Sequence, residues 1–104
     1  MTMTILAMVK RVGMGWKPVM WEGTDDDAMV LLDAKRLDDL TVRFQGTRHV
    51  MLFDRDGEAK GKPFAGTIGD RRIYGDVMLI DVDIDGEPVD VSILTAVNLE
   101  GKRA

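Results

Sequence analysis

The run VMLIDVDIDGEPVDVSIL, residues 77–94, constrains the fold more than any other stretch of the chain. Apolar residues recur at every second place on both sides of Asp85-Gly86, and period-two alternation marks a strand with one face buried. Asp and Gly tolerate the positive φ that tight reversals require, so the pair reads as a hairpin turn. With the turn centred there, Val82 faces Val89, Ile80 faces Val91 and Met78 faces Ile93. Asp81, Asp83 and Asp90 then fall on the opposite face, in water. The stretch from Asp81 to Ser92 also imitates an EF-hand loop, with Asp at its first, third and fifth places and Gly at its sixth. Such a loop needs a bidentate Glu at place twelve and a helix on either side. Here place twelve is Ser92, place eight is Pro88 and the flanks are strand-like, so the hairpin is the better reading.

The rest of the chain divides into similar short runs. Met3 to Val12 and Trp16 to Trp21, joined at Gly13-Met14-Gly15, predict two antiparallel strands. In EGTDDDAMVLLDAKRLDDL, Thr24 followed by Asp27 three places on forms a capping box, with negative charge at the positive end of a helix dipole. A helix over 25–40 follows, with Met29, Leu32, Leu37 and Leu40 as an irregular apolar stripe. TVRFQ and HVMLF predict strands, the second running through the turn DRDGE into EAKGKPF and ending at Lys62-Pro63. AGTIGDRR reads as a loop and Ile73 to Ile84 as one long strand, returning from Val89 to Thr95. NLEGKRA reads as a frayed end. DRDGE and DIDGE share turn chemistry, but their flanks do not match, so no internal repeat is present. The expected fold is α+β, a mainly antiparallel β-sheet of about six to seven strands with one α-helix packed on one face.

A chain of 104 residues is expected to form a single domain spanning residues 1–104. The longest apolar runs, Ile5 to Val9 and Val77 to Ile80, fall far short of the roughly 18 residues of a bilayer span. The N-terminal MTMTILAMVKRVG places its basic pair after its apolar stretch, the wrong order for a secretory signal, so the expected location is cytoplasmic. The absence of Cys excludes disulfides, thiolate zinc sites and cysteine catalysis. The net charge of -4 opposes direct nucleic-acid binding. Thr41 to Arg72 holds seven basic and four acidic residues, whereas Ile73 to Glu100 holds seven acidic and no basic ones. The two segments are expected to attract each other across the sheet or to face an outside partner.

Apparent motifs fail on particular residues. GKPFAGT lacks the Lys directly before Thr67 that a phosphate-binding loop requires, and VGMGWKP has Pro18 where a dinucleotide fingerprint has its third Gly. GTIG followed by Arg71 and Arg72 matches the backbone-clamping loop of KH domains only over four residues. A serine triad would have to use the single His49 and the single Ser92, and nothing around His49 has the spacing of metal ligands. No enzyme activity, cofactor or metal is therefore expected.

Surface recognition remains. Trp16 and Trp21, five apart on one strand, point to opposite faces, so one of them is a candidate exposed contact. Lys60, Lys62, Arg71, Arg72 and Tyr74 form a basic loop over 60–74 rich in interface residue types. Asp76, Asp81, Asp83, Asp85 and Asp90 form a candidate acidic surface.

Lys17-Pro18, Gly61 to Pro63, Gly75-Asp76 and Asp85 to Glu87, in their order along the chain, resemble a family of small uncharacterised domains of phages and bacterial mobile elements. Ala65-Gly66 stand where that family carries a polar pair. The resemblance implies no set activity but a setting, in which small non-enzymatic effectors bind a bacterial host protein or defence system. The leading expectation is thus a small binding protein that uses the basic loop and the acidic strands after it. The alternatives are a small-ligand or nucleotide-binding protein holding phosphates on the basic loop, and an acidic mimic of nucleic acid. An uncovered sheet edge would permit a homodimer.

Overall fold

A computed structural model of the chain describes residues 4–101. The strands are β1 (Ile5–Lys10), β2 (Trp16–Trp21), β3 (Leu37–Phe44), β4 (Thr47–Asp54), β5 (Phe64–Ile68), β6 (Arg71–Tyr74), β7 (Val77–Val82) and β8 (Pro88–Val89). The helices are α1 (Asp25–Leu31), between β2 and β3, and α2 (Ile93–Glu100), after β8. The class is α+β and the sheet mostly antiparallel, as expected. Among the described residues there are eight strands and two helices, rather than six or seven strands and one helix.

The main sheet runs β2-β1-β7-β4-β3, and β8 pairs with the far end of β7. β5 and β6 form a separate two-stranded ribbon. The β3–β4 connection is Gln45-Gly46, with φ of 51° and 80°, the double positive φ of the tightest hairpin turns.

Both faces of the sheet are covered. On one, Met8, Met51, Phe53, Val77 and Leu79 pack with Ile73 of the ribbon, Val91, and Ala96 and Leu99 of α2. On the other, Ala7, Val9, Trp21, Leu52, Met78 and Ile80 pack with Ala28 and Leu32 of the α1 segment. This explains the unbroken apolar run Val77 to Ile80, since a strand buried on both faces has no polar side to alternate with.

Several expectations are corrected. The helix over 25–40 ends at Leu31, and Asp33 with φ of 50° turns the chain out of it. Leu37 and Leu40 then face opposite sides of the sheet, Leu37 toward α1 and Leu40 toward α2, which a helical stripe would not allow. The segment 55–62 is a series of turns rather than a returning strand. AGTIGDRR is the β5–β6 hairpin instead of a loop. Ile73 to Ile84 is not one strand but two, broken at Gly75-Asp76, because β6 belongs to the ribbon and β7 to the sheet.

The register of the opening hairpin also changes. Val82 pairs with Pro88, not Val89, and Ile80 pairs with Val50 of β4. The expected return strand 89–95 stops after Val89, since Ser92 caps α2 through a bond from the Thr95 N–H to its hydroxyl at 3.2 Å. Asn98, Leu99 and Glu100 of the expected frayed end are therefore helix. Met3 of the first expected strand and residues 102–104 of that end lie outside the described residues.

Candidate surface on the β5–β6 ribbon

The cations of the basic loop separate into an inward and an outward set. Lys60 and Lys62 turn inward onto Asp54, with Nζ at 2.9 and 2.8 Å from its carboxylate. Asp54 ends β4 and is only 4% exposed. Both ammonium groups also donate to the carbonyl of Asp33, at 2.9 and 2.7 Å, and Lys62 to that of Leu32 at 2.9 Å. α1 has no basic residue in its last turn; the two lysines supply from outside the positive charge that its dipole favours there. Burial works to raise the Asp54 pKa, but the bonds from Lys62, Lys60 and the Asp56 N–H outweigh it and hold the carboxyl below its usual value. The bond to Asp54 raises the Lys60 pKa in turn.

Arg71 is likewise engaged. Its guanidinium donates to Asp38 of β3 and lies 5.5 Å from the centre of the Phe53 ring. Arg55 approaches the same Asp38 at 4.0 Å, and the Arg71 bond holds the Asp38 pKa below the usual carboxylate value.

Arg72 and Tyr74 alternate with the inward Arg71 and Ile73, so they occupy the ribbon's outer face. The register sets Thr67 opposite Arg72 and Phe64 opposite Tyr74, with a bulge between Phe64 and Gly66. Phe64 is 53% exposed, and its ring meets that of Tyr74 edge to face at 5.5 Å. Arg72 has no hydrogen-bonding or acidic partner among the described residues. It borders a shallow polar cleft of about 320 Å³ between the ribbon and the turn after β4, whose walls include Arg55, Glu58, Asp70, Arg71 and Tyr74.

Trp16 and Trp21 do face opposite sides. Trp21 is buried against α1, with its indole N–H lacking a hydrogen-bond partner. Trp16 is half-buried beside the core under α2 and the ribbon, so Trp21 is no surface contact and Trp16 is a partly covered one.

The acidic residues do not form an array. Asp76 binds Arg11 and the Val12 N–H, each at 2.9 Å. Asp83 folds back within its own turn onto the N–H groups of Asp85 and Glu87, at 2.9 and 3.0 Å. Asp90 accepts the Leu6 N–H at 2.7 Å, and Asp81 bonds to His49 Nδ1. Asp85 alone among the five has a side chain without a partner among the described residues. The His49–Asp81 hydrogen bond is also, among the described residues, the single contact between a Lys, Arg or His side chain of the 41–72 segment and a carboxylate of the 73–100 segment. The ion-paired Lys and Arg side chains of the basic segment pair with Asp38 and Asp54.

His49 and Asp81 are neighbours across β4 and β7 beneath the covered face, and His49 is 1% exposed. Its Nε2, the atom a serine nucleophile would approach, has no hydrogen-bond partner. Ser92 is instead bonded to Thr95, at 2.9 Å between hydroxyls. Among the described residues no three His, Asp or Glu side chains gather as metal ligands would, and no helix is long and apolar enough to cross a membrane.

Sequence reasoning missed Phe64, which follows directly on the expected strand end at Lys62-Pro63, and Asp54, read only as a turn residue. The signal for Phe64 was its spacing from Tyr74 across a Gly-Asp reversal, the same chemistry that marked the other hairpins. No protein-family model matches the chain, and neither does any curated protein or solved structure.

Proposed function

We propose that this chain is a small, non-enzymatic binding protein that recognises another protein through the outer face of the β5–β6 ribbon. The observation that carries the reading is the exposed Phe64 ring, packed edge to face on the half-buried Tyr74, beside an uncompensated Arg72. Aromatic residues and arginine dominate the energetics of protein interfaces, because each covers much area with few rotatable bonds or several donors. The resemblance to phage and mobile-element domains makes a bacterial host protein or defence component the partner class to test.

The ligand-binding and mimicry readings have weaker support. Phosphate binding on the basic loop would have to draw Lys60 and Lys62 away from Asp54 and the end of α1. Mimicry would have to use Asp76, Asp81, Asp83 and Asp90 while each holds a bond within the fold.

The test compares proteins retained from a bacterial lysate by the wild type, by Arg72→Glu and by Phe64→Ser. A retained partner should be lost from both variants while their melting temperatures stay close to that of the wild type. Equal retention by all three would exclude the ribbon as the recognition surface.

A further inference from the structure

We propose that the cleft between the inner side of the ribbon and the sheet binds a small carboxylate whose apolar body is about one six-membered ring in size. This site is separate from the ribbon's outer face and does not depend on the function proposed for it. Its floor follows from register: Lys10 pairs with Trp16 on one side and Val77 on the other, so the three side chains lie in a row across β2, β1 and β7 on the same face. Met51 and Ile73 continue the apolar wall, and the space is about 150 Å³. An apolar cavity of about that volume accommodates a benzene ring.

The space is left open by the backbone. Gly66 stands opposite the inward-facing Ile73 and lines the cleft without a side chain. A Cβ built at Gly66 would have no atom within 4 Å. One cation lines the cleft: Lys10 is half-buried and has no ion-pair or hydrogen-bond partner among the described residues. An ammonium beside an aromatic and aliphatic wall favours an anion with an apolar body over either feature alone, because pockets of this type draw affinity from the apolar wall and orientation from a few polar groups.

Trp16 gives the experiment its readout, since it lines the cleft whereas Trp21 is buried on the opposite face. Benzoate, neutral benzyl alcohol and the bicyclic 2-naphthoate are titrated against tryptophan fluorescence of the full chain. Benzoate should give a saturable millimolar response, with 2-naphthoate much weaker. Lys10→Gln should weaken benzoate about tenfold and leave benzyl alcohol unchanged. Val12→Phe, at the cleft wall, should abolish both responses if its melting temperature shows it folded, and Trp16→Phe should remove the signal. The proposal is overturned if benzoate gives no saturable response, binds Lys10→Gln as well as wild type, or still changes emission in Trp16→Phe. Equal binding of 2-naphthoate would overturn the ring-size assignment.

Discussion

Asp54 is the carboxylate on which the inward half of the basic loop converges, and its replacement tests whether those lysines are structural. Asp54→Asn keeps the shape but leaves two ammonium groups facing a neutral amide at a nearly inaccessible site. Breaking one side of a buried charge pair is costly; because both lysines retain helix carbonyls and some solvent, the expected loss is about 2–3 kcal/mol, read by urea denaturation at neutral pH. The pH dependence follows in sign. Asp54 and Asp38 have folded-state pKa values below their ordinary ones, so their contribution is fully present above the unfolded carboxylate pKa and is lost as pH falls through the lower folded values. Wild type should therefore lose stability on acidification below about pH 4, and Asp54→Asn should lose less over the same range. Arg71 and Arg72, adjacent in sequence, should respond oppositely. Arg72→Glu should change stability by under about 0.5 kcal/mol, whereas Arg71→Glu should cost about 1–2 kcal/mol by placing a carboxylate against Asp38 and removing the cation over Phe53.

Helix ends are where local sequence had most to say about individual elements. Thr24 accepts the Asp27 N–H at 3.2 Å, as the capping box implied, although the Asp27 carboxylate reaches back to the Glu22 N–H at 2.8 Å rather than to Thr24. Thr24→Ala should cost about 1 kcal/mol by thermal or urea unfolding, and Ser92→Ala a similar amount. The second cap was illegible for two physical reasons. Thr95, not Glu or Gln, stands at the reciprocal position of its box, and Val89, Val91 and Ile93 prolong the strand-like alternation right into α2. Ile93, Leu94 and Val97 are moreover exposed on α2, so the helix shows no polar outer stripe to distinguish it from a buried strand. The α1 error has the opposite cause. Leu37 and Leu40 fit a helical spacing locally, but antiparallel pairing of all of β3 with β4 satisfies eight residues at once, and tertiary pairing overrides propensity.

In the whole molecule, one sheet separates two apolar cores that share strands but not covers. Leu32 anchors the α1 side and Leu99 the α2 side. Leu32→Ala and Leu99→Ala should each cost about 2–4 kcal/mol. Measured by urea denaturation, the double variant should come within about 0.5 kcal/mol of their sum, because the two side chains have no packing partners in common. A coupling well beyond that would mean the covers act as one unit through the sheet. At the sheet edges, β2 carries Lys17 and Pro18, and a proline withholds a ladder donor, which leaves the eight-residue β3 as the edge more open to strand pairing.

Alternation, Asp-Gly and Gly-rich reversals and the Thr24 cap were enough to determine an antiparallel α+β chain, the opposite orientations of the two tryptophans and the start of α1, because each is set by backbone geometry within a few residues. Tertiary structure alone decided that both faces are covered, that Lys60 and Lys62 serve Asp54 and the end of α1, and that the outward aromatic pair is Phe64 with Tyr74. The Asp residues of DVDIDGEPVDVS illustrate the division. Asp83 found its partners within its own turn, as local chemistry allows, but the partners of Asp81 and Asp90 depended on strands 32 and 84 residues away in sequence. A side chain's partner across a sheet is set by register and strand order, and neither is encoded within reach of a local pattern.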